Sequence, residues 1–392
     1  MGLKVISARN GTVTGYRIDF RDRSGRRHRK TYRRQKDAER ALRKALDAVD
    51  EGTFIAPRQI PTFREAAEQW FQNKVTKRPA SVMFWRGHLD NHLLPHLGAH
   101  RLSDITVDVI ESVRDRLLAD GHLGATSVKK VLTTASAVFK SAIKKGRATM
   151  NPAALADRPE DGDQEIGADG EVYRMGRSRA VTADEVLRPE EIQRLLVHAT
   201  PGYYRALLWV AAATGARHSE ILALRWADID FLDGAIRIQR TLSWARRPGE
   251  PMRARFLPPK TKAGRRSIPA SAELLRQLKA WRVQSAHCRE QDLVFPNRNG
   301  QPQQRKTVLD EGLYPALDAA ELRRITMHSL RHSFATALIA QGTPIPEVQA
   351  YLGHARATVT LDTYVHFLPK QRTDSVAALS RQFVPTSERQ GS

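Results

Sequence analysis

The first fifty residues change from an alternating pattern of hydrophobic and polar positions to a helical one. Apolar and charged residues first alternate with the period of a half-buried strand, and a turn at residues 22–25 leads into a second, basic strand ending near Tyr32. The alternating apolar residues are Tyr16, Ile18 and Phe20. Residues 38–49 then carry one apolar helical stripe, and Gly52 stands just past its end. This pattern predicts a small β-sheet packed on one helix, in a domain over residues 1–56.

Residues 60–155 have a helical pattern throughout, which predicts an all-α bundle of four or five helices. Thr62 and Glu65 have the spacing of a capping box, and Ser103-Asp104 and Thr126-Ser127 are typical of further helix starts. A helix over residues 127–145 would bury Val128, Val131, Leu132, Ala135, Val138, Phe139 and Ile143. Four aromatic residues are assigned to the core rather than to base stacking: Trp70, Phe71, Phe84 and Trp85.

The rest of the chain is expected to hold a linker, a larger domain and a short tail. Residues 156–187 are rich in Asp, Glu and Gly and indicate a linker, although Val172 and Tyr173 are apolar enough to pack. A helix is expected to open at Arg188-Pro-Glu-Glu191, and a mostly α domain over residues 188–385 is expected to include a small antiparallel sheet. That sheet would contain a strand at residues 236–238 and a hairpin over 253–270. A last amphipathic helix is expected at 373–383, followed by a tail over 386–392.

Composition favours a polyanionic partner. The 392 residues include 64 Lys and Arg against 42 Asp and Glu, a formal net charge of +22. Residues 1–50 alone contain 15 basic and 6 acidic residues. Because 41% of the residues are apolar, the charge accompanies folded domains rather than a disordered tail. Nucleic acid is therefore the leading candidate for the partner. The alternative interpretation is that the chain is a ribosomal-type protein, since such proteins are also basic.

The single cysteine, Cys288, excludes an internal disulfide framework and a zinc site built from cysteine pairs. The N-terminal residues contain no apolar signal-peptide core, and the longest apolar run, near residues 206–213, is too short to cross a membrane. These features predict a soluble protein of the cytoplasm that is not associated with a membrane.

Five residues in the second half of the chain have the chemistry of a phosphodiester-cleaving site. Tyr364 is a poor nucleophile at neutral pH, since the unperturbed pKa of a phenol is about 10, so it needs a base and a positively charged phosphate site. Arg217 follows Ala-Thr-Gly-Ala at an expected helix start. The planar N–H donors of its guanidinium and the positive end of the helix dipole both favour a phosphate there. His328 and Arg331 are one helical turn apart. His354 follows Gly353 in Tyr-Leu-Gly-His.

The order Arg217, His328-x-x-Arg331, Leu-Gly-His354, Tyr364 resembles the tyrosine recombinase (phage integrase) family over about the last half of the chain. The resemblance implies the tyrosine recombinase fold, with an arm-binding domain, a core-binding domain and a catalytic domain. It makes Arg331 a second phosphate ligand and His328 a base or phosphate ligand. It also implies a lysine on a hairpin that protonates the leaving 5′ oxygen; we choose Lys260, with Lys262 as the alternative.

Two other assignments concern the same segment. His332 stands four residues after His328, a spacing compatible with zinc, but no acid or third ligand accompanies the pair, so no metal is expected and His332 is assigned to packing. The resemblance implies a reaction that needs no cofactor.

The resemblance implies an integrase of a phage or integrative mobile element, which cuts and rejoins DNA through a 3′-phosphotyrosyl link. The alternatives are a type IB topoisomerase-like relaxing enzyme and a catalytically silent DNA-binding regulator. The implied partners are double-stranded DNA at core-type and arm-type sites, a homotetramer on that DNA, and DNA-bending and directionality factors. The terminal helix would dock on its own or a neighbouring subunit. The expected DNA contacts are Arg17, Arg27, Arg29, Lys30, Lys129 and Lys130.

Overall fold

The computed structural model is a multidomain α+β fold whose backbone contacts divide the chain into two units. One unit comprises residues 1–163 and 246–251, and the other comprises residues 164–245 and 252–392. The domain boundaries expected from the sequence are finer than this division and stay predictions. The structure describes residues 2–7, 12–56, 59–159, 163–166, 172–175, 181, 183–246 and 250–364.

The N-terminal part is a three-stranded antiparallel sheet with one helix on it. Strands β1 (Gly2–Ser7), β2 (Val13–Arg21) and β3 (Arg27–Tyr32) pair in the order β1-β2-β3, and α1 spans Gln35–Asp50. The core between sheet and helix comprises Ile18, Phe20 and Ala38, with Leu3, Tyr16, Tyr32, Leu42, Leu46 and Val49 partly buried around them. The hairpin and the helix are confirmed. Strand β1 was not expected, because it lies at the sheet edge and its side chains are half-buried or exposed.

The following helices form a bundle around a separate apolar core. They are α2 (Phe63–Gln72), α3 (Pro79–His88), a π-helical turn (Leu89–Leu93), α4 (Leu94–Leu97), α5 (Val107–Ala119), α6 (Ala125–Lys144) and α7 (Pro152–Leu155). The expected capping box is present: the Glu65 backbone N–H donates to Thr62 Oγ1 at 3.3 Å, and the Thr62 N–H donates to the Glu65 carboxylate at 2.8 Å. The capping box therefore fixes the start of α2.

Several local predictions in this bundle are wrong. Helix α5 is capped by Thr106 rather than by Ser103-Asp104, and α6 begins after Gly124 without a side-chain cap. Ile143 is 37% exposed and Ala142 is buried instead, because Ala142 follows Val138 by four residues and lies over the buried face of α6, whereas Ile143 lies at its edge. Phe84 is 47% exposed, with its ring 4.0 Å from that of His88, while Trp70 and Phe71 are buried.

The bundle core gives a matched test of packing. We expect Phe139→Ala to destabilise the bundle by about 3–5 kcal/mol, since Phe139 is fully buried and its ring packs against Phe63. Hydrogen exchange of the α2 and α6 amides in the full chain measures this loss. Phe84→Ala is the control, because its ring is already 47% exposed. Equal protection in the two variants would contradict this packing.

The second unit is mostly helical with small sheets. Its helices are α8 (Pro189–His198), α9 (Tyr203–Thr214), α10 (His218–Ile221), α11 (Ala272–Gln284), α12 (Arg305–Val308), a π-helical turn (Leu309–Leu313), α13 (Tyr314–Ala319), α14 (Met327–Ala340), α15 (Ile345–Leu352) and α16 (Ala357–Tyr364). The expected helix start at Arg188 is confirmed, with the Arg188 N–H donating to Glu191 at 2.7 Å. The expected helix at 373–383 lies outside the described residues.

The strands of this unit differ from the expectation. Two short strands, β4 (Asp163–Ile166) and β5 (Val172–Met175), pair with each other inside the segment assigned to a linker. The remaining strands are β6 (Ile229–Asp230), β7 (Ala235–Ile238), β8 (Thr241–Ala245), β9 (Arg253–Leu257) and β10 (Arg266–Pro269).

The hairpin expected over residues 253–270 is wrong. Strand β9 pairs with β8, whereas β10 pairs with β7 in a sheet of order β10-β7-β6. Ile268 on β10 is buried opposite Ile236 on β7, and this shared core contact stabilises a pairing between strands far apart in sequence. The segment between β9 and β10 therefore connects two different sheets.

Among the described residues, no helix is both long enough and apolar enough to cross a membrane.

Candidate active site

Two helices end in left-handed glycines that lie one or two residues before site residues. Gly215 ends α9 with φ +57°, two residues before Arg217, and Gly353 ends α15 with φ +66°, directly before His354. A Cβ at Gly215 would lie 2.4 Å from the Phe334 ring, so the close approach also requires glycine. Both helix ends therefore turn sharply and leave carbonyl groups without helical partners.

Arg331 joins these two helix ends. Its side chain on α14 is 1% exposed, and its guanidinium donates to the Gly215 carbonyl at 2.8 Å and to the Leu352 carbonyl at 2.7 Å. A cation is favoured at helix C-termini, where the carbonyl dipoles converge. The same guanidinium contacts His354 Nε2 at 2.8 Å. Burial, and then the positive charge of Arg217, lower the pKa of Arg331 to about 9.

His354 is held as a neutral imidazole. Since a guanidinium can only donate, His354 Nε2 accepts from Arg331, and the ring proton lies on Nδ1, which donates to Thr360 Oγ1 at 2.9 Å. Burial and the nearby guanidinium of Arg331 lower the pKa of His354 to about 3. Thr360 is fully buried on α16, so this hydrogen bond also connects His354 to the helix that carries Tyr364.

Arg217 is oriented by a buried carboxylate. Arg217 lies just before α10, and its backbone N–H and its Nη1 donate to Glu220 at 2.9 and 2.8 Å. Glu220 is 3% exposed and also accepts from Arg266 at 2.9 Å. Although burial opposes ionisation, the hydrogen bond from Arg266 and the two positive charges lower the pKa of Glu220 below its usual value. The Arg217–Glu220 contact is thus part of a buried network, while the Arg217 side chain itself is 39% exposed.

Tyr364 is buried and hydrogen-bonded to a histidine that the sequence assigned to packing. Its side chain is 1% exposed among Val186, Leu352 and other apolar residues, and its hydroxyl lies 2.8 Å from His332 Nδ1. Burial raises the pKa of Tyr364 to about 12 and lowers the pKa of His332 to about 4. The packing assignment of His332 is wrong, because its position one residue after Arg331 on α14 turns its ring towards α16.

His328 lies beside this pair. It is exposed, and its ring centroid is 4.5 Å from that of His332. Desolvation, followed by the charges of Arg331 and Arg217, lowers the pKa of His328. Within the described part of the chain, no group of three or more His, Cys, Asp or Glu side chains could hold a metal ion.

Lys260 occupies an exposed turn between β9 and β10, and Lys262 begins a 3₁₀ turn over Lys262–Gly264. The turn packs near His354, since a Cβ at Gly353 would lie 2.9 Å from the Ala263 carbonyl oxygen. Both lysines are therefore carried by a segment that reaches the site. The choice between them stays a prediction.

The lowered pKa values of the histidines predict acid sensitivity. His332 and His354 stay neutral in the folded protein down to about pH 4 and 3, whereas in the unfolded chain they bind protons near pH 6.5. The unfolded state therefore holds more protons between these values, so stability falls as pH falls from about 6.5 to 4. We expect the Tm of the second unit to be about 5 °C lower at pH 4.5 than at pH 7.5.

A matched pair of variants separates this effect from the titration of carboxylates. His332→Gln should reduce the dependence of Tm on pH, and His198→Gln should leave it unchanged, because His198 is exposed on α8. An identical pH dependence in the wild type and the His332→Gln variant would contradict the assignment.

The expected DNA contacts of the N-terminal sheet lie on two different faces. Residues paired across strands share a face of the sheet. Arg17, Arg27 and Arg29 lie on the face that points away from helix α1. Lys30 pairs with Ile18, which lies on the face that packs against the helix. Lys30 lies 5.4 Å above the ring of Tyr32. Only the first three therefore belong to the open face of the sheet.

An aspartate organises that open face. Asp19 is 6% exposed and accepts from Arg27 Nε at 2.7 Å, with Arg29 Nε at 3.4 Å. The hydrogen bond from Arg27 is the main cause that lowers the pKa of Asp19 to about 2. The two remaining expected contacts lie on α6, where Lys129 is half-buried and Lys130 is exposed.

The structure thus brings together Arg217, His328, Arg331, His354 and Tyr364. The sequence reasoning missed His332 as the hydroxyl partner and Arg266 as the second partner of Glu220. Arg266 is the first residue of β10, and the alternating sequence Arg-Ser-Ile-Pro predicts that strand. The contacts of the Arg266 side chain are with residues distant in sequence, so the alternation does not predict them.

Most of the chain outside its N-terminal part matches known protein families. Residues 185–371 match the model of the phage integrase family, and residues 63–158 match that of the phage integrase central domain. A XerC-like tyrosine recombinase of Caldanaerobacter subterraneus subsp. tengcongensis is 25% identical over 409 residues, covering 98% of this chain and 100% of that protein.

Two solved structures share the fold. The Tn1549 transposon integrase in complex with transposon right end DNA is 17% identical, with a TM-score of 0.62 over 83% of this chain and 100% of that one. The lambda integrase tetramer bound to a Holliday junction is 18% identical, with a TM-score of 0.56 over 90% of this chain and 96% of that one.

Proposed function

The chain belongs to the tyrosine recombinase (phage integrase) family and is a site-specific DNA recombinase, and from this premise we propose that Tyr364 is the nucleophile that cleaves the DNA strand. The observation that carries the proposal is the excess positive charge beside it. Arg217 and Arg266 converge on a single buried carboxylate, Glu220, and their repulsion of Arg331 contributes to its lowered pKa. A phosphodiester bound here would offset that repulsion.

In the proposed reaction, Tyr364 Oη forms a bond to phosphorus while the bond from phosphorus to the 5′ oxygen breaks. The phenolic proton of Tyr364 passes to the neutral imidazole of His332, its hydrogen-bond partner. The products are a 3′-phosphotyrosyl link and a 5′-hydroxyl, whose oxygen takes a proton from Lys260. Arg217, Arg331 and His328 stabilise the negative charge that develops on the phosphoryl oxygens. Attack by a 5′-hydroxyl from another strand reverses the step. Because bond energy is conserved in the phosphotyrosyl link, the reaction needs no nucleotide, and Arg217 and Arg331 supply the positive charge that a metal ion provides in other phosphoryl transfers.

We propose that the described conformation is a resting state. A phenol that is 1% exposed, with a pKa of about 12, is neither accessible to a phosphate nor readily ionised. The helix that carries it, α16, is held by the His332 contact and by a hydrogen bond from the Val181 N–H to the Thr363 carbonyl at 2.9 Å. Amide exchange in α16 faster than in α9 supports this proposal, and equal protection in the two helices would count against it.

For DNA binding we propose two surfaces. The open face of the N-terminal sheet carries Arg17, Arg27 and Arg29 and would read arm-type sites as a β-ribbon does. Lys129 and Lys130 on α6 would contact the backbone of core-type sites.

A matched pair of substitutions tests the sheet face. We expect Arg17→Gln to weaken binding of the full chain to arm-type duplex DNA about tenfold and to reduce the dependence of binding on salt. Lys30→Gln should have little effect, since Lys30 lies on the helix face. Equal losses in the two variants, measured by titration at two salt concentrations, would contradict the assignment of faces.

We further propose that the protein serves a phage or integrative mobile element and acts on two DNA sites as a homotetramer. The support is likeness: the Tn1549 integrase belongs to a transposon and is bound to its right end DNA, and lambda integrase forms a tetramer on a Holliday junction. DNA-bending and directionality factors would set the balance between integration and excision. A chromosomal or element-borne DNA substrate would place the reaction at the bacterial nucleoid, in the cytoplasm.

A library of randomised duplexes tests the proposed cleavage, because it requires no chosen attachment sequence. Wild-type protein is incubated with nicked duplexes that carry a randomised region, and DNA that stays attached to protein under denaturing conditions is sequenced. We expect one recovered sequence family, linked through Tyr364. Attachment without sequence preference would favour a topoisomerase-like enzyme. The absence of covalent DNA would favour a silent DNA-binding regulator and overturn the proposal.

A further inference from the structure

Arg266 connects three separate parts of the site. Its Nη2 donates to Glu220 Oε2 at 2.9 Å, its Nη1 donates to the Gly264 carbonyl at 3.1 Å, and its Nε donates to the Tyr351 carbonyl. The side chain is 6% exposed, so each of these hydrogen bonds forms away from water. One guanidinium therefore bonds the carboxylate that orients Arg217, the turn that follows Lys260, and the end of the helix that precedes His354.

The backbone of Arg266 is fixed independently of these contacts. Arg266 is the first residue of β10 and pairs with Ile238 of β7, and two residues later Ile268 is buried in the core of the unit. Arg266 therefore projects from a sheet, and its three acceptors lie on segments outside that sheet. The sheet therefore fixes the position of Arg266, and Arg266 then holds the turn and the two helices.

The turn between Lys260 and Arg266 is compact, and the Arg266 side chain is bonded to its Gly264 carbonyl. The Gly264 N–H donates to the Thr261 carbonyl and the Arg265 N–H donates to the Lys262 carbonyl, both at 3.0 Å. Gly264 is buried, and a Cβ there would lie 2.6 Å from Pro259 Cβ. The Arg266 guanidinium donates hydrogen bonds both to this turn and to Glu220. It therefore links the turn that carries Lys260 to the carboxylate that orients Arg217.

We propose that Arg266 is a positioning residue that holds the Lys260 turn against the phosphate-binding residues, so that the lysine can protonate the leaving 5′ oxygen. The proposal rests on the proposed function. In the step concerned, the phosphorus–5′ oxygen bond breaks as Tyr364 Oη bonds to phosphorus. The phenolic proton passes to His332, and a second proton moves from the Lys260 ammonium group to the 5′ oxygen. The three acceptors require N–H donors in fixed directions, which the planar guanidinium provides. The ammonium group of a lysine at this position could bond well to only one of them.

The test compares two leaving groups on the duplex recovered from the randomised library. One substrate has the natural 5′ oxygen at the scissile phosphate and the other has sulfur at that bridging position, since a thiolate leaves without a proton. We expect Arg266→Lys to cleave the oxygen substrate about 100-fold more slowly than wild type and the sulfur substrate within about tenfold of wild type. Lys260→Ala should show the same pattern, and Arg237→Lys, on the exposed surface of β7, should cleave both normally.

Two results would overturn the proposal: a wild-type rate for Arg266→Lys on the oxygen substrate, or a defect of equal size on both substrates. Should that variant fail to fold, Arg266→Gln, which leaves Glu220 in place to orient Arg217, carries the same comparison. Failure of the wild-type protein to cleave either substrate would refute the proposed function itself, so the two failures are distinguishable.

Discussion

Tyr364→Phe is expected to abolish covalent attachment to DNA while leaving DNA binding unchanged. The substitution removes the oxygen that we propose as the nucleophile but retains the ring that packs among Val186, Leu352 and their apolar neighbours. The lost contact is the hydrogen bond to His332, which contributes about 1 kcal/mol to stability. Denaturing electrophoresis with labelled duplex measures attachment, and a mobility shift measures binding.

A second tyrosine provides the control for this variant. Tyr351 lies on α15, the helix before the loop that carries His354, and its hydroxyl donates to Glu347 at the surface. Tyr351→Phe should attach to DNA as the wild type does. Covalent attachment by the Tyr364→Phe protein would show that another residue is the nucleophile and would remove the basis of the proposed reaction.

Arg331→Lys is the second substitution with a large expected effect, on both cleavage and stability. Lysine keeps the charge but cannot donate at once to the Gly215 carbonyl, the Leu352 carbonyl and His354. We expect cleavage to fall at least about 100-fold. Leaving buried carbonyls without donors should lower the free energy of unfolding by about 2–4 kcal/mol. Suicide-substrate kinetics and thermal unfolding of the same preparation measure the two effects.

The matched control for Arg331 is Arg324→Lys in the segment just before α14. Arg324 is exposed and pairs with Asp318, so stability should change by less than about 0.5 kcal/mol and cleavage should be normal. If Arg331→Lys cleaved DNA at the wild-type rate, the assignment of its guanidinium to the reacting phosphate would be untenable. A variant that lost stability but kept full cleavage would restrict Arg331 to a structural role.

Local patterns predicted most of the elements because short-range physics decides them. The capping box at Thr62 and Glu65, the helix start at Arg188 and the apolar face of α6 follow from hydrogen bonds and spacing within one turn. The same reasoning was less reliable where two caps competed. Thr106 rather than Ser103-Asp104 caps α5, since either set offers a hydroxyl or carboxylate and only the packed helix selects one.

Partners that are distant in sequence could not be read from these patterns. The period of two residues marks β9 and β10 as strands, but it contains no information about which strand each one pairs with. The buried contact between Ile268 and Ile236 decided that β10 joins β7, and this places Arg266 beside Glu220. In the same way, the sequence placed His332 on a helix but did not indicate that α16 would pack against it.

The sequence by itself determined the family, the order of the chemical residues, and the presence of a basic N-terminal sheet followed by a helical bundle. Those features depend on residue identity and local spacing, which the chain carries directly. Only the tertiary structure decided that Tyr364 is buried against His332, that Lys30 faces the helix, and that Arg266 and Arg331 connect the helix ends and turn of the site. These contacts join segments far apart in sequence, and their formation depends on how the buried apolar faces pack together.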